Sequence, residues 1–211
     1  MEQTTCCSDN ILLEKQGLLF IPDISGYTRF VKDSDLLTGR QICLELLSTI
    51  VAENSLGMDV LEIEGDAVLF FKAGQLPSPA AILHQYEQML EAFHDRMNAL
   101  KKRFSLNLDF SLKAVAHYGT IATYNLAGFC KIYGPAVIEV HRLLKNSIQS
   151  DQYILFTEAL LNTCNAGIIP QAENVSITGQ LCESYGELKN ICFCYLDYSS
   201  QKQRLPHFTY F

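Results

Sequence analysis

The chain has 211 residues, 48% of them hydrophobic and 18% charged, with a net charge of −7. That length suits one domain and the apolar share is ample for a core. The acidic balance argues against a nucleic-acid or anionic-membrane partner, and no apolar run approaches the roughly 18 residues of a membrane-spanning helix. Met1-Glu2-Gln3-Thr4-Thr5 lacks the basic and apolar regions of a signal peptide, so a cytoplasmic protein is expected. The eight cysteines are Cys6, Cys7, Cys43, Cys130, Cys164, Cys182, Cys192 and Cys194. None has C-x-x-C spacing, and they are expected to be reduced, mostly buried thiols.

Residues 1–16 are mostly polar and read as a flexible N-terminal segment. Leu18 to Pro22 reads as the first strand, with Pro22 marking its end because proline cannot donate to a ladder. A short helix is expected from Tyr27, then a loop at Asp33-Ser34-Asp35 with a possible N-cap. A helix follows from Thr38 to about Glu53, its apolar face carried by Cys43, Leu46, Leu47, Ile50 and Val51. Strands near 58–64 and 67–72 form a hairpin with Glu64-Gly65-Asp66 at its tip. Pro79 opens a long helix to about Arg103, in which Ile82, Tyr86, Met89, Phe93, Met97 and Leu100 step by three and four. His84 and His94 are expected on its surface.

From Leu106 to His117 the residues alternate, which reads as a strand with one buried face and Lys113 on the other. Tyr118-Gly119-Thr120 is expected to turn the chain into a short return strand, with His117 a satisfied turn residue. Ala127 to Tyr133 is another apolar run. Pro135 to Ser147 reads as a helix with Val137, Ile138, Val140, His141, Leu144 and Ile148 on its inner side. Gln152–Phe156 reads as a strand, Thr157 as the cap of a helix over 158–163, and Leu181-Cys182 and Ile191–Leu196 as late strands. The folded domain is placed at 17–198 and a tail at 199–211. The order implies an α/β (α+β) fold: a ferredoxin-like β-α-β-β-α-β core with a mainly antiparallel sheet and helices packed on one side.

Two segments carry the chemistry. Leu18 to Tyr27 and Val60 to Phe71 each set one aspartate, Asp23 and Asp66, at the edge of a strongly apolar run. Either aspartate alone is also ordinary turn chemistry. If strand and hairpin are neighbours, the two carboxylates meet at one end of the sheet. They then offer what a divalent cation needs: hard oxygen ligands, few from protein and the rest from phosphates and water. A helix beginning after Gly26 would point backbone N–H groups at the same place.

Phe20-Ile21-Pro22-Asp23-Ile24-Ser25-Gly26-Tyr27-Thr28 resembles the F-x-D-I-x-G-F-T segment of class III nucleotidyl cyclases. Glu62-Ile63-Glu64-Gly65-Asp66-Ala67-Val68 resembles their (K/E)-x-x-G-D-A segment. Ile132-Tyr133-Gly134-Pro135-Ala136-Val137 with His141-Arg142-Leu143-Leu144 is similar to a third segment, I-W-G-x-x-V-N-x-A-x-R-M. The resemblance covers about residues 17–196 and implies a nucleotidyl cyclase-like fold. It implies that Asp23, Asp66 and the Ile24 carbonyl hold two Mg or Mn ions. Ser25, Gly26, Tyr27 and Thr28 would cradle a triphosphate, Glu62 and Lys131 would choose the purine, and Arg142 would stabilise transition-state charge. Glu62 leans toward guanine. It also implies active sites at a head-to-tail dimer interface, hence a homodimer or a partner cyclase-like domain.

The chain departs from the family pattern at three places. Ile138 stands where the family has a catalytic asparagine, Lys131 where an aspartate or small polar residue is usual, and no lysine falls in step within Glu183–Glu187. Residue by residue, plainer readings stand beside these roles. Arg142 can be a surface or helix-pairing arginine, Glu62 and Glu64 can both face water, and Lys131 can be a phosphate contact or a solvated side chain. The expected function is a divergent cyclase-like domain that binds metal and a purine nucleoside triphosphate with weak or no turnover, in a regulatory role. The alternatives are an active, guanylate-leaning cyclase and a non-catalytic interaction scaffold.

Overall fold

The structure is a computed structural model that describes residues 14–164, 176–186 and 190–199. The elements run β1 (Glu14–Ser25), α1 (Tyr27–Asp33), α2 (Leu36–Ala52), β2 (Asp59–Glu64), β3 (Ala67–Ala73), α3 (Pro79–Phe104), β4 (Ser111–Leu126), β5 (Phe129–Tyr133), α4 (Pro135–Leu143), β6 (Tyr153–Thr157), α5 (Glu158–Thr163), β7 (Ser176–Ile177), β8 (Leu181–Glu183) and β9 (Ile191–Asp197). The strands form one sheet in the order β2-β3-β1-β4-β6-β9-β7, with β5 paired to β4 and β8 to β9. β4 and β6 run parallel and the other pairs are antiparallel. The ferredoxin-like core and the mainly antiparallel sheet are as expected. No helix among the described residues is long and apolar enough to cross a membrane.

The helices do not share one side of the sheet. Leu18 and Phe20 of β1, Val68 and Phe70 of β3, and Leu112, Ala114 and Ala116 of β4 pack against α2, α3 and α5. The intervening residues Leu19, Ile21, Leu69, Phe71 and Val115 pack on the opposite face against Ala136, Val140 and Leu143 of α4. Strands buried on both faces read as continuous apolar runs rather than alternating ones. Burying each such side chain fully is worth about 1.5–3 kcal/mol.

The capping chemistry explains where the helices start. Asp35 accepts from Thr38 N at 3.0 Å and opens α2. Ser78 accepts from Ala81 N at 3.2 Å before Pro79 at the head of α3. Thr157 accepts from Leu160 N at 3.4 Å and opens α5.

Five further expectations change. Pro22 does not end β1, which continues to Ser25. It is paired with Ala114 of β4, while pairing with β3 lapses between Phe20 and Asp23, so that no donor is needed there. Gly119 does not turn the chain, because β4 runs unbroken through it to Leu126. A Cβ at Gly119 would collide with the Cβ of Ala136, so the glycine lets α4 lie directly on the sheet. The strand also begins later than expected, at Ser111. On α4 the buried residues are Ala136, Val140 and Leu143, while Ile138 is 53% exposed, so the inner face is rotated from the one expected. Cys182 and Cys192 are not free thiols. They face each other across β8 and β9 and are joined, with their Cα atoms 4.0 Å apart. Cys43, Cys164 and Cys194 are free and half-buried and Cys130 is half-buried, while Cys6, Cys7, Lys189 and the 200–211 tail lie outside the described residues.

Gly119→Ala is expected to cost about 1–3 kcal/mol of stability, the range for overpacking a close contact. Urea unfolding would show it as a lower midpoint at unchanged slope. Adding Ala136→Gly should recover most of the loss, and a Gly119→Ala chain as stable as the parent would mean that α4 does not press on β4.

Candidate functional site

β1 and the β2–β3 hairpin bring the two aspartates together. Asp23 pairs in register with Ala67, the neighbour of Asp66, and Ile24 N donates to the Asp66 carbonyl at 3.1 Å. Gly65, at φ 60°, supplies the left-handed backbone of the hairpin tip. Both carboxylates line a cleft of about 720 Å³ whose other wall is α4 and the residues just after it. Glu64, Lys113, Ile138, His141, Arg142 and Lys145 also line it. Asp23, Asp66 and Arg142, far apart in sequence, therefore border one space within a single chain.

The remaining predicted site residues lie elsewhere. Ser25 to Thr28 make the turn from β1 into α1, with Gly26 at φ 91°, and none of the four lines the cleft. Tyr27 instead borders a second hollow of about 470 Å³ with Cys43, Leu47 and Gly65. Glu62 and Lys131 meet each other: Lys131 Nζ lies 3.3 Å from Glu62 Oε1, linking β2 to β5. They do not line the carboxylate cleft.

Lys113 is a site residue that sequence reasoning missed. Its ammonium lies 3.1 Å from Asp23 Oδ2 and donates to the Leu144 carbonyl at 3.0 Å. Alternation did place it opposite the Leu112–Ala114 face, but that side is the α4 side rather than open water. The usable signal was register, since Asp23 and Lys113 are directly opposed cross-strand partners.

His117 is not in a turn, and only one of its ring nitrogens is hydrogen-bonded. It is buried on β4 with Nδ1 3.0 Å from Thr157 Oγ1 and Nε2 3.0 Å from Glu139 Oε2 of α4. The second approach has the distance of an ion pair but not the alignment of a hydrogen bond. Of the other histidines, His84 is exposed, and the half-buried His94 lies 3.1 Å from Gln152 Oε1.

Electrostatics sets the aspartates apart. Burial first, and Asp23 second, push the Asp66 carboxyl up to about 6, while Lys113 acts the other way. Two carboxylates in a half-buried cleft repel, and the nearest cation is already bonded to one of them. Among the described residues no three or more His, Cys, Asp or Glu side chains gather as a ready metal-ligand set. Two carboxylates with a neighbouring backbone carbonyl nevertheless suit a hard cation such as Mg²⁺, which takes few protein ligands and keeps water or phosphate oxygens for the rest. A cation there would also offset the repulsion that raises the Asp66 pKa.

A family described as "Protein of unknown function (DUF2652)" matches residues 43–153, more than half of the chain. The chain belongs to this family. An uncharacterized protein of Mycobacterium tuberculosis, Rv2561/Rv2562, is 28% identical over 123 residues, a match covering 55% of this chain and 57% of the relative. The matched region thus spans little more than half of that relative's length.

Solved structures of class III cyclase domains share the fold. The adenylyl cyclase CyaB of P. aeruginosa superposes with a TM-score of 0.67 at 15% identity, covering 89% of this chain and 95% of that one. The guanylate cyclase domain of RhGC from Catenaria anguillulae, solved in complex with GTP, gives 0.54 at 12% identity, with 87% and 97% covered. A class III adenylyl cyclase-like ATP-binding protein from Pseudomonas aeruginosa gives 0.58 at 12% identity, with 71% of this chain and 34% of that one covered. The fold of this chain is that of a class III cyclase domain.

The raised Asp66 pKa gives a testable sign. Below about pH 4 the group is protonated in folded and unfolded chains alike. As pH rises through about 6, ionisation in the fold is opposed and stability is lost. Asp66→Asn should therefore add on the order of 1 kcal/mol at pH 7.5, after discounting a half-exposed group for solvent screening. The gain should fade toward pH 4 in urea unfolding. An Asp66→Asn chain less stable than the parent at pH 7.5 would contradict this electrostatic account.

Proposed function

We propose that the chain is a divergent cyclase-like domain that binds a divalent metal and a purine nucleoside triphosphate, with weak or no turnover, in a regulatory role. The observation that carries the proposal is the cleft in which Asp23 and Asp66 face Arg142. Asp23, Asp66 and the Ile24 carbonyl would hold Mg²⁺ or Mn²⁺, and the metal would supply charge for phosphate binding. Arg142, with Lys145 and His141 on the same wall, would take phosphate oxygens, the arginine in bidentate fashion.

The Glu62–Lys131 pair supports a purine site. Its lysine is 47% exposed, so the pair is worth about 0–1 kcal/mol and can open for a ligand. Glu62 could then accept from the N–H edge of guanine while Lys131 donates to its carbonyl oxygen, or the pair could divide the donor and acceptor of adenine. Weak turnover follows from Ile138. Its side chain lines the cleft where the family places asparagine, and it can neither donate nor accept a hydrogen bond.

Association with a second cyclase-like domain belongs to this proposal. Leu126, Phe129 and Tyr133 of the β4–β5 hairpin are each more than 60% exposed, an apolar ribbon suited to a protein partner. The active, guanylate-leaning cyclase remains the second reading, favoured by the side-by-side placement of Glu62 and Lys131.

Thermal unfolding with GTP or ATP in Mn²⁺ or Mg²⁺, together with an assay for cyclic product, tests the proposal. Nucleotide at about 100 times its Kd should stabilise the fold by about 2.7 kcal/mol. That gain should require metal and vanish in Asp23→Ala, with little or no cyclic product. Rapid product formation would select the active cyclase, and no shift with either metal would reject nucleotide binding.

A further inference from the structure

We propose that Lys113 is a resident counter-ion that competes with divalent cations for Asp23, so that metal entry must expel its ammonium and unhook the C-terminal end of α4. This inference rests on the metal-binding reading of Asp23 and Asp66. It concerns what that binding must displace.

The geometry is specific. Lys113 rises from β4 directly opposite Asp23 on β1 and reaches Asp23 Oδ2 at 3.1 Å. Its side chain is 20% exposed and that of Asp23 14%, so the pair is shielded from bulk water on most sides. The same ammonium donates to the carbonyl of Leu144, the C-cap residue of α4, at 3.0 Å. A cation at a helix C-terminus meets the negative end of the helix dipole, which adds a second reason for the amine to stay. One ammonium thus ties the carboxylate that would hold metal to the helix that carries Ile138 and Arg142.

A divalent ion bound by Asp23 would take oxygen lone pairs at 2.0–2.6 Å. The ammonium now bonded to Oδ2 would then lie beside a second positive charge in a site of low dielectric, and the two cannot share that oxygen. Lys113 must swing away, and its flexible four-carbon stem permits this. Leaving Asp23, it joins Arg142, Lys145 and His141 around the cleft. Metal entry would therefore convert a neutralised wall into a cationic one and at the same time free the Leu144 carbonyl. A built-in competitor lowers the affinity for metal alone, and it also protects the fold, because it neutralises half of a carboxylate pair when metal is scarce.

The test is Mn²⁺ binding by the full chain without nucleotide, followed by the electron paramagnetic resonance signal of the free ion. Lys113→Gln should bind Mn²⁺ at least about tenfold more tightly than the parent, since Asp23 no longer has a competing cation. Lys113→Arg, which keeps the charge, should stay near the parent. In metal-free buffer Lys113→Gln should unfold at a lower temperature, and Mn²⁺ should raise its Tm more than the parent's. If Lys113→Gln does not fold, Lys113→Met, which keeps the apolar stem, serves in its place. Equal or weaker Mn²⁺ binding by a folded Lys113→Gln overturns the competition while leaving metal binding intact. No Mn²⁺ binding by parent or variant overturns both the competition and the metal reading beneath it.

Discussion

The pairing of β1 with β4 is the constraint on which the rest of the molecule depends. The two strands are matched residue for residue from Glu14 opposite Ala122 to Ser25 opposite Ser111. β1 is also paired to β3 on its other side, and its central residues are buried on both faces. A strand held on four sides cannot slip, because a shift of one residue would move Leu18 and Phe20 to the face that now holds Leu19 and Ile21. Its C-terminal end therefore has a fixed position. Asp23 is placed opposite Lys113 and beside the hairpin tip by the register of the core, not by local turn preference.

That placement creates the electrostatic problem of the cleft. Asp23 has an ammonium 3.1 Å away, whereas burial first and the Asp23 charge second lift the Asp66 pKa to about 6. The opposite wall is built differently. α4 has nine residues and rests on the sheet through Ala136, Val140 and Leu143, with Gly119 cut back to admit it. It is further held by the Lys113–Leu144 contact at its end and the Glu139–His117 contact at its middle. The loop after it is pinned through Ser147, whose N–H and hydroxyl both donate to Glu183 of β8, at 3.0 and 2.5 Å. The disulfide at Cys182 clips that strand to β9. The carboxylate wall is thus part of the central strands, whereas the α4 wall is joined to them by three buried apolar side chains and a few polar contacts.

What could be read in the sequence follows the same division. The strand carrying Asp23, the hairpin carrying Asp66 and the amphipathic α3 announce themselves through apolar runs, a Gly at a tip and a three-four stripe, all local signals. Pro22 and Gly119 misled because the one cannot donate to a ladder and the other is a turn former by default. Here tertiary context uses them otherwise, one where a ladder lapses and one where a helix approaches closely. The face of α4 was misread because Ile138, an apolar residue, faces the cleft. Lys113, the Glu62–Lys131 pair and the Cys182–Cys192 bond were not legible. Each is a cross-strand meeting set by register, or by elements 69 residues apart in the last pairing but one, and spacing carries no trace of it.

The two walls also differ in what a substitution costs. Ile138 is more than half exposed, so asparagine or isoleucine there is nearly neutral for folding. Asp66 is the opposite case. A carboxylate half-buried beside another carboxylate works against stability at neutral pH, and an asparagine could make the same turn without the charge. A group whose position is paid for in stability and that faces a cleft is better explained by something it binds than by the turn it occupies. The physical asymmetry therefore supports the proposed cation-binding reading over a scaffold that has only the fold.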